Sequence, residues 1–380
     1  HQNGLENTMD RLLLNARYAI RRLTQAPLFT LIAILSLGLG IGANTATFSL
    51  INAVILRDLP FEDVESLVDI YEEQDGFSHA TLSYPDYLDV REGTEGVFTG
   101  VSGSVIAFIQ ADTESGVELL SGEAVTGNYF DLIGVRPALG RLFTEEDDVA
   151  PGAHPVVVLG HGYWERRFGG DVAAIGTEIR LGGRPYTIIG VAPEEYTGTL
   201  RGVVSQHFVS IQMYDEILGS ERNFLVSRGA QSLFGKARLA PGVTLAEAEG
   251  VADRITTGLR EEFPRVWTPT KRLVLERTGD VIMNPMVDRV LVPAAGMVMA
   301  VVGLVLLIAC ANLASFLLAR AADRRKESAV RLAMGAKRRT LVGQLLTETL
   351  ILSGLGCLVG LGLSMGVLRV LVTGDLPLPI

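Results

Sequence analysis

LFTLIAILSLGLGIGANTATFSLINAVIL, residues 28–56, runs for 29 residues without Asp, Glu, Lys or Arg, and a helix needs only about 20 such residues to cross a bilayer. A second run, VLVPAAGMVMAVVGLVLLIACANLASFLLA at 290–319, is 30 residues long and equally free of charge. The third, 341–372, is weaker because it admits Glu348 and Arg369, yet its uncharged centre at 349–368 still reaches 20 residues. Together they predict an α-helical membrane protein with three transmembrane helices. The first run is too long for the apolar part of a signal peptide and lacks a small-residue cleavage site before the acidic segment that follows, so it reads as a retained anchor.

Charge orients these spans. Residues 1–27 carry Arg11, Arg17, Arg21 and Arg22, and the short loop 320–340 carries eight basic residues against Asp323 and Glu327; both segments belong on the cytoplasmic side, where Lys and Arg collect. Residues 57–288 hold 19 basic and 37 acidic residues, a local charge of −18, and are placed outside. With a net charge of −10 over the whole chain and its basic residues gathered at span ends, nucleic acid is not a partner. The protein is therefore expected in the cytoplasmic (inner) membrane, with a large domain between helices 1 and 2 in the periplasm or outside. The stretch 373–380 begins a further external loop.

No catalytic or nucleotide-binding motif is legible. The nearest approach to a phosphate loop, residues 229–236, has one residue too many between its glycines and Ala237 where a magnesium-binding Ser or Thr is required. Gly38, Gly40 and Gly42 lie inside an apolar span with no preceding strand, unlike a dinucleotide loop. The five histidines show no metal-ligand spacing, and Cys310 and Cys357 read as small packing residues within spans. The expectation is no catalytic residue, no metal and no cofactor in this chain, with any ATP and Mg bound by a partner.

The cytoplasmic segments carry more information. From Arg11 to Leu23, Leu12, Leu13, Ala16, Ala19, Ile20 and Leu23 share one arc of a helix while the arginines point elsewhere, which predicts an amphipathic helix in the inner headgroup layer of the lipid bilayer. Residues 322–334 predict a short helix stopped by Gly335, with Ala329, Val330, Ala333 and Met334 on one face and Arg324, Arg325 and Arg331 around it. Such a knob serves either as an interfacial turn or as an anchor in a partner's groove. Within the spans, Gly38/Gly42, Gly356/Gly360 and Gly362/Gly366 are GxxxG pairs, and Ala311, Ser315 and Ala319 repeat small residues at the same interval; they permit close helix contact, between two permease units or within one. Glu348 sits about two turns into the third span, as a flank residue near the headgroups or as a polar contact between helices.

The external region reads as α+β. Strand-like runs fall at 67–71, 105–110, 156–159, 178–181, 186–191, 208–212 and 233–238, punctuated by Gly and Pro. One helix is explicit: Thr244 to Glu247 forms a capping box, Leu245, Ala248, Ala252, Ile255 and Leu259 make an apolar stripe, and Pro264 follows.

Several blocks in order carry a family resemblance: ARYAIRRL (16–23), PLFTLIA (27–33) and GLGIGANTATFS (38–49) at the start, SYPDY (83–87), NYFDLIGVRPALGR (128–141), WERRFGGD (164–171) and YTIIGVAP (186–193) in the external region, and RRKESAVRLAMGA (324–336) between the second and third spans. The chain resembles MacB/FtsX-type ABC transporter permeases, especially their duplicated orphan-permease branch. The resemblance implies four spans per unit, so the chain is expected to stop before a fourth. It implies a periplasmic domain in which 58–119 plus 216–288 form one subdomain and 120–215 an inserted second. It also implies a cytoplasmic ABC ATPase docked on Arg324, Arg325, Ala329, Val330, Arg331, Ala333, Met334 and Gly335, a dimer or internal pseudo-dimer of permease units, and a periplasmic adaptor or hydrolase as external partner. The function so implied is a permease that transmits ATPase-driven motion for efflux or mechanotransmission; the alternatives are an FtsX-like regulator of external hydrolases and a ligand sensor.

Overall fold

The computed structural model describes residues 17, 19–21, 23–56, 59–74, 76–94, 96–113, 116–201, 203–218, 223–323, 329, 330, 333, 334 and 338–373. They divide into two compact units, one comprising residues up to Asn52 and from Val292, the other Ala53–Leu291. Among the described residues three helices are long and apolar enough to cross a membrane, Pro27–Ile51, Thr278–Ala319 and Val342–Val370. The molecule is a membrane protein with a large extracytoplasmic domain.

Helix α1 (Pro27–Ile51) opens with proline in its first turn, where the missing N–H would have no intrahelical partner anyway. The uncharged run then continues as a π-helical turn, Asn52–Leu56. Of the amphipathic helix expected from Arg11, residues 11–16 lie outside the described residues; Arg17, Ala19–Arg21 and Leu23–Gln25 are helical, with Ala19 and Leu23 buried and Ile20 exposed.

The external unit is built on one sheet. Its strands are β1 (Leu67–Gln74), β2 (Phe77–Ala80), β3 (Phe98–Thr113), β4 (Gly116–Val125), β5 (Leu139–Gly140), β6 (Val156–Leu159), β7 (Glu178–Leu181), β8 (Arg184–Val191), β9 (His207–Ser210), β10 (Phe234–Leu239) and β11 (Arg272–Arg277). The order is β11-β1-β10-β3-β4-β9-β6-β8-β5, with β2 beside β1 and β7 bridging β3 and β8. Strand β3 pairs with β10 through its first half and with β4 through its second. β4 then pairs in parallel with β9. The subdomain boundary expected at 119/120 thus falls inside β4, and that at 215/216 inside a short helix, Tyr214–Leu218; a continuous hydrogen-bond ladder crosses from one expected subdomain to the other.

Both faces of the sheet are covered. Successive residues of β1 alternate: Val68 and Ile70 enter one apolar cluster, Leu67 the other. The first cluster takes α2 (Tyr84–Gly93) through Tyr84, Tyr87 and Val90, and the 18-residue helix Leu245–Glu262 through Ala248, Ala252 and Leu259. The second takes α3 (Tyr129–Ile133) through Tyr129, Phe130 and Ile133; Phe130 stacks on Phe143 and meets Tyr196 and Phe208 edge-on. The two remaining helices before the long one are α4 (His161–Phe168) and α5 (Tyr214–Leu218), which makes Leu245–Glu262 α6. The Thr244 capping box is present, with Thr244 N–H donating to Glu247 Oε2 at 2.8 Å. The strand expected at 208–212 ends at Ser210, whose hydroxyl accepts from Gln212 N–H at 3.2 Å and turns residues 211–213 into a 3₁₀ turn.

Helices α7 (Pro285–Asp323) and α8 (Arg338–Thr373) complete the chain. At 39 residues α7 spans about 58 Å, well beyond a hydrocarbon core of roughly 30 Å.

A buried ionic cluster fastens α2 to the sheet. Asp86, fully buried, accepts from Ser83 Oγ at 2.7 Å, Trp267 Nε1 at 3.0 Å and Arg228. Arg228 also reaches Asp89 at 2.5 Å, and Lys271 pairs with Glu72 at 2.6 Å. Breaking such a pair from one side leaves a buried charge uncompensated, which costs far more than an exposed pair contributes. Burial pushes Glu72 up to about 8, against the opposing pull of Lys271. A carboxyl titrating higher in the folded state than in the unfolded one gives stability that is complete at acid pH and declines as pH rises toward that value. Thermal unfolding of the external unit is therefore expected at lower temperature at pH 9 than at pH 6, and Glu72→Gln should narrow the difference; an undiminished difference in the variant would assign the effect elsewhere.

Candidate functional site

The membrane unit is held where glycines meet. Helices α1 and α8 approach so closely that a Cβ on Gly42 would lie 2.9 Å from the Gly360 carbonyl oxygen, and one on Gly360 would lie 2.9 Å from the Gly38 oxygen and 3.1 Å from the Gly42 nitrogen. A Cβ on Gly38 would meet Val359 at 2.9 Å, and one on Gly356 would meet Leu37 at 2.8 Å. Four of the six glycines singled out by spacing are thus brought together, within one chain, as backbone-to-backbone packing. Gly362 and Gly366 are not part of it, with nothing within 4 Å of either added Cβ.

The opposite face of α1 meets α7. Gly40, two residues and about 200° round the helix from Gly38, would place a Cβ 3.1 Å from Leu306 and 3.5 Å from Ala309. Asn44 Nδ2 donates to its own Gly40 carbonyl at 2.9 Å and across to the Val302 carbonyl at 3.0 Å. Phe29 and Phe316 add an edge-to-face contact at 6.3 Å. Thr30 Oγ1 returns to the carbonyls of Leu23 and Ala26 at 2.9 and 3.0 Å, closing the bend before α1. Leu23 then packs with Ala33, Leu37, Leu313 and Leu352. Glu348, one turn before Leu352, is only 7% exposed, so its side chain faces protein rather than the surround.

Sequence spacing finds the GxxxG pairs but not Asn44, the residue that hydrogen-bonds across α1 and α7. The available signal was a side-chain amide in an otherwise weakly polar run, since an amide in lipid must find a partner.

Of the knob expected on the cytoplasmic side, Ala329, Val330, Ala333 and Met334 are described, and Arg324, Arg325, Arg331 and Gly335 lie outside the described residues. Met334 N–H donates to the Val330 carbonyl at 3.0 Å, the i to i−4 spacing of a helical bond, and Val330 and Met334 are 57% and 76% exposed. Among the described residues no three His, Cys, Asp or Glu side chains converge as metal ligands would. The buried His207, at the centre of the sheet, is held near pKa 3 by burial and is a neutral core residue.

Two family profiles divide this architecture between them. The MacB-like periplasmic core domain matches residues 30–255, and the FtsX-like permease C-terminal region matches 299–380. The chain belongs to the MacB-like permease family. Among its relatives, the probable export ATP-binding/permease protein MacB of Pseudomonas entomophila is 25% identical over 276 residues, 70% of this chain and 36% of that protein. The probable syringafactin export ATP-binding/permease protein SyfD of Pseudomonas syringae pv. tomato is 26% identical over 254 residues, 64% of this chain and 33% of that one. This MacB-like chain spans about a third of the length of the curated relatives it matches. Among solved structures, the periplasmic region of MacB from Actinobacillus actinomycetemcomitans matches at a TM-score of 0.42 with 15% identity, over 60% of this chain and 92% of that one.

The seam makes a graded prediction. Gly360→Leu drives a side chain into α1 backbone and should lower thermal stability of the detergent-solubilised chain by the order of 1–3 kcal/mol typical of overpacking, or more. Gly366→Leu, on the same helix but facing open space, should leave it unchanged. Equal effects of the two, read by thermal unfolding and yield of monodisperse protein, would contradict the packing.

Proposed function

We propose that this chain is the membrane-spanning permease unit of an ABC exporter and that it transmits ATPase-driven movement rather than performing chemistry. The observation that supports this most is the close backbone contact between α8 and α1 inside the membrane unit. Val330 and Met334 precede α8 closely in the sequence, and α8 is locked to α1 by the four-glycine contact. A push at Val330 and Met334 displaces α8, and two backbones in contact cannot slide apart without losing that contact, so α1 follows. ATP and Mg belong to a cytoplasmic ABC ATPase, whose groove takes Val330 and Met334, with Ala329 and Ala333 beside them and Arg324, Arg325 and Arg331 orienting the approach. Export is supported by the two relatives whose names describe them as export proteins.

The arrangement requires the inner membrane, with the acidic domain outside and the knob inside. It uses a second permease unit, as a dimer or an internal pseudo-dimer, to complete the translocating assembly, and a periplasmic adaptor or hydrolase to receive the movement.

Val330→Asp combined with Met334→Asp places two carboxylates on the proposed docking face while leaving the Lys and Arg content that orients the spans untouched. Copurification of the ATPase should be lost and its stimulated turnover should fall to the unstimulated rate, with insertion and orientation normal. A double variant that still binds and stimulates the ATPase would sink the docking assignment.

A further inference from the structure

Glu123, on the central strand β4, is wholly buried in a nest of hydroxyl groups. Its Oε1 accepts from the Thr199 backbone N–H at 2.8 Å and from Ser205 Oγ at 2.7 Å, and its Oε2 accepts from the Thr199 hydroxyl. The Thr199 hydroxyl oxygen is itself met by Ser104 at 3.0 Å and by Tyr129, to which Tyr196 donates at 3.0 Å. Burial raises the Glu123 pKa, while the bonds from Ser205 and Thr199 act the other way. Gly198 permits the close approach: its φ is +128°, and a Cβ there would lie 2.5 Å from both Glu123 Oε1 and Ser205 Oγ.

Two residues beyond Thr199, Arg201 Nη1 donates to the Ile55 carbonyl at 3.1 Å. Ile55 lies in the π-helical turn Asn52–Leu56 that directly continues α1. The last carbonyls of a helix lack intrahelical partners and carry its negative end. At π spacing the residue that would serve Ile55 is Pro60, which has no N–H. Arg201 supplies both the donor and the compensating charge.

We propose that the 197–205 loop is a tie between residues 53–56, where the chain enters the external unit, and the middle of that unit's sheet, gripping the turn through Arg201 and anchored on β4 through Glu123. As an anchor β4 is well placed mechanically, because it is bonded to β3 on one side and to β9 on the other; a displacement delivered there reaches both halves of the sheet. The Thr199 contacts make the link stiff, since backbone N–H and side-chain hydroxyl of one residue hold the same carboxylate. The mechanical role rests on the permease reading; the tie itself rests only on the bonds above. Arg201 and Glu123 are positioning residues.

The test is amide hydrogen exchange on the full chain in lipid nanodiscs. In Arg201→Gln, amides of residues 53–56 and 197–201 should exchange roughly tenfold faster or more, as expected for loss of a hydrogen bond to a charged group, while β6 and β8 keep their protection. Arg201→Lys should restore part of the protection. Glu123→Gln, which preserves shape, should loosen 197–205 and also 53–56; a residue that merely fills the core would leave 53–56 untouched, and that result, or unchanged exchange in Arg201→Gln, overturns the tie. With the copurified ATPase and ATP added, a wild-type response at both 53–56 and 197–205 that stops at 53–56 in Arg201→Gln supports the mechanical role, and an identical response in both proteins overturns it. A wild-type chain with no nucleotide-dependent change contradicts the permease reading instead, and the resting comparison still decides the tie.

Discussion

Two helix backbones in contact hold the membrane unit together. Apolar side chains give helices little reason to associate in lipid, where the surrounding acyl chains are as apolar as leucine; what remains is close packing and interhelical hydrogen bonding. Gly38, Gly42, Gly356 and Gly360 remove the four side chains that would keep α1 and α8 apart. On its other side α1 uses the second resource, the Asn44 amide bonded to the Val302 carbonyl of α7. The first span is thus the middle member of the trio, fixed by shape toward one neighbour and by a polar bond toward the other.

The external unit solves the opposite problem. In water the hydrophobic effect supplies the driving force, and a sheet covered on both faces provides the area, with Val68 and Ile70 entering one cluster and Leu67 the other. Its difficulty is polar: several charged groups are buried, and those that follow are paired with an opposite charge, although Glu72 Oε1 is buried without a hydrogen-bond partner. Lys236 pairs with Asp69, Lys271 with Glu72, and Arg228 with Asp86 and Asp89. Lys271, Glu72, Arg228, Asp86 and Asp89 gather around α2, whereas Lys236 and Asp69 are cross-strand neighbours on β10 and β1, so the charges fix which surfaces meet while apolar area supplies most of the stability.

The spans, the acidic domain between them and the main helix of that domain were legible because each rests on a local signal: an uncharged run, a charge imbalance, the Thr244 capping box. Strands β6 and β7 were legible at their full extent, each bounded by turn residues. β4 and β11 were not, because GVELLSGEAV and RLVLER mix charge with apolar residues and lack clean alternation, a pattern blurred further when both faces of a sheet are covered. The glycine spacing was legible, but which helices it joined was not, since GxxxG names a surface and not its partner. Asn44, Glu123 and Arg201 escaped for the same reason. Their roles lie in partners 258, 76 and 146 residues away, a relation that no local pattern encodes.

Taken together, the membrane unit works as a lever if α1 and α8 of one chain move as a body. Were the same glycines instead the seam between two chains, a push on the turn at Val330 and Met334 would reach a neighbour rather than this chain's own first span. Cysteine cross-linking separates the two arrangements. In a background with Cys310 and Cys357 replaced, Ala33→Cys with Leu352→Cys puts one thiol on α1 and one on α8 within a single buried cluster, without adding a side chain at the glycine contact. Oxidation in native membranes, followed by proteolytic cleavage within the external domain, should leave the two fragments joined and running at the mass of a single chain. Fragments that separate, accompanied by a product at twice the chain mass, would contradict the account.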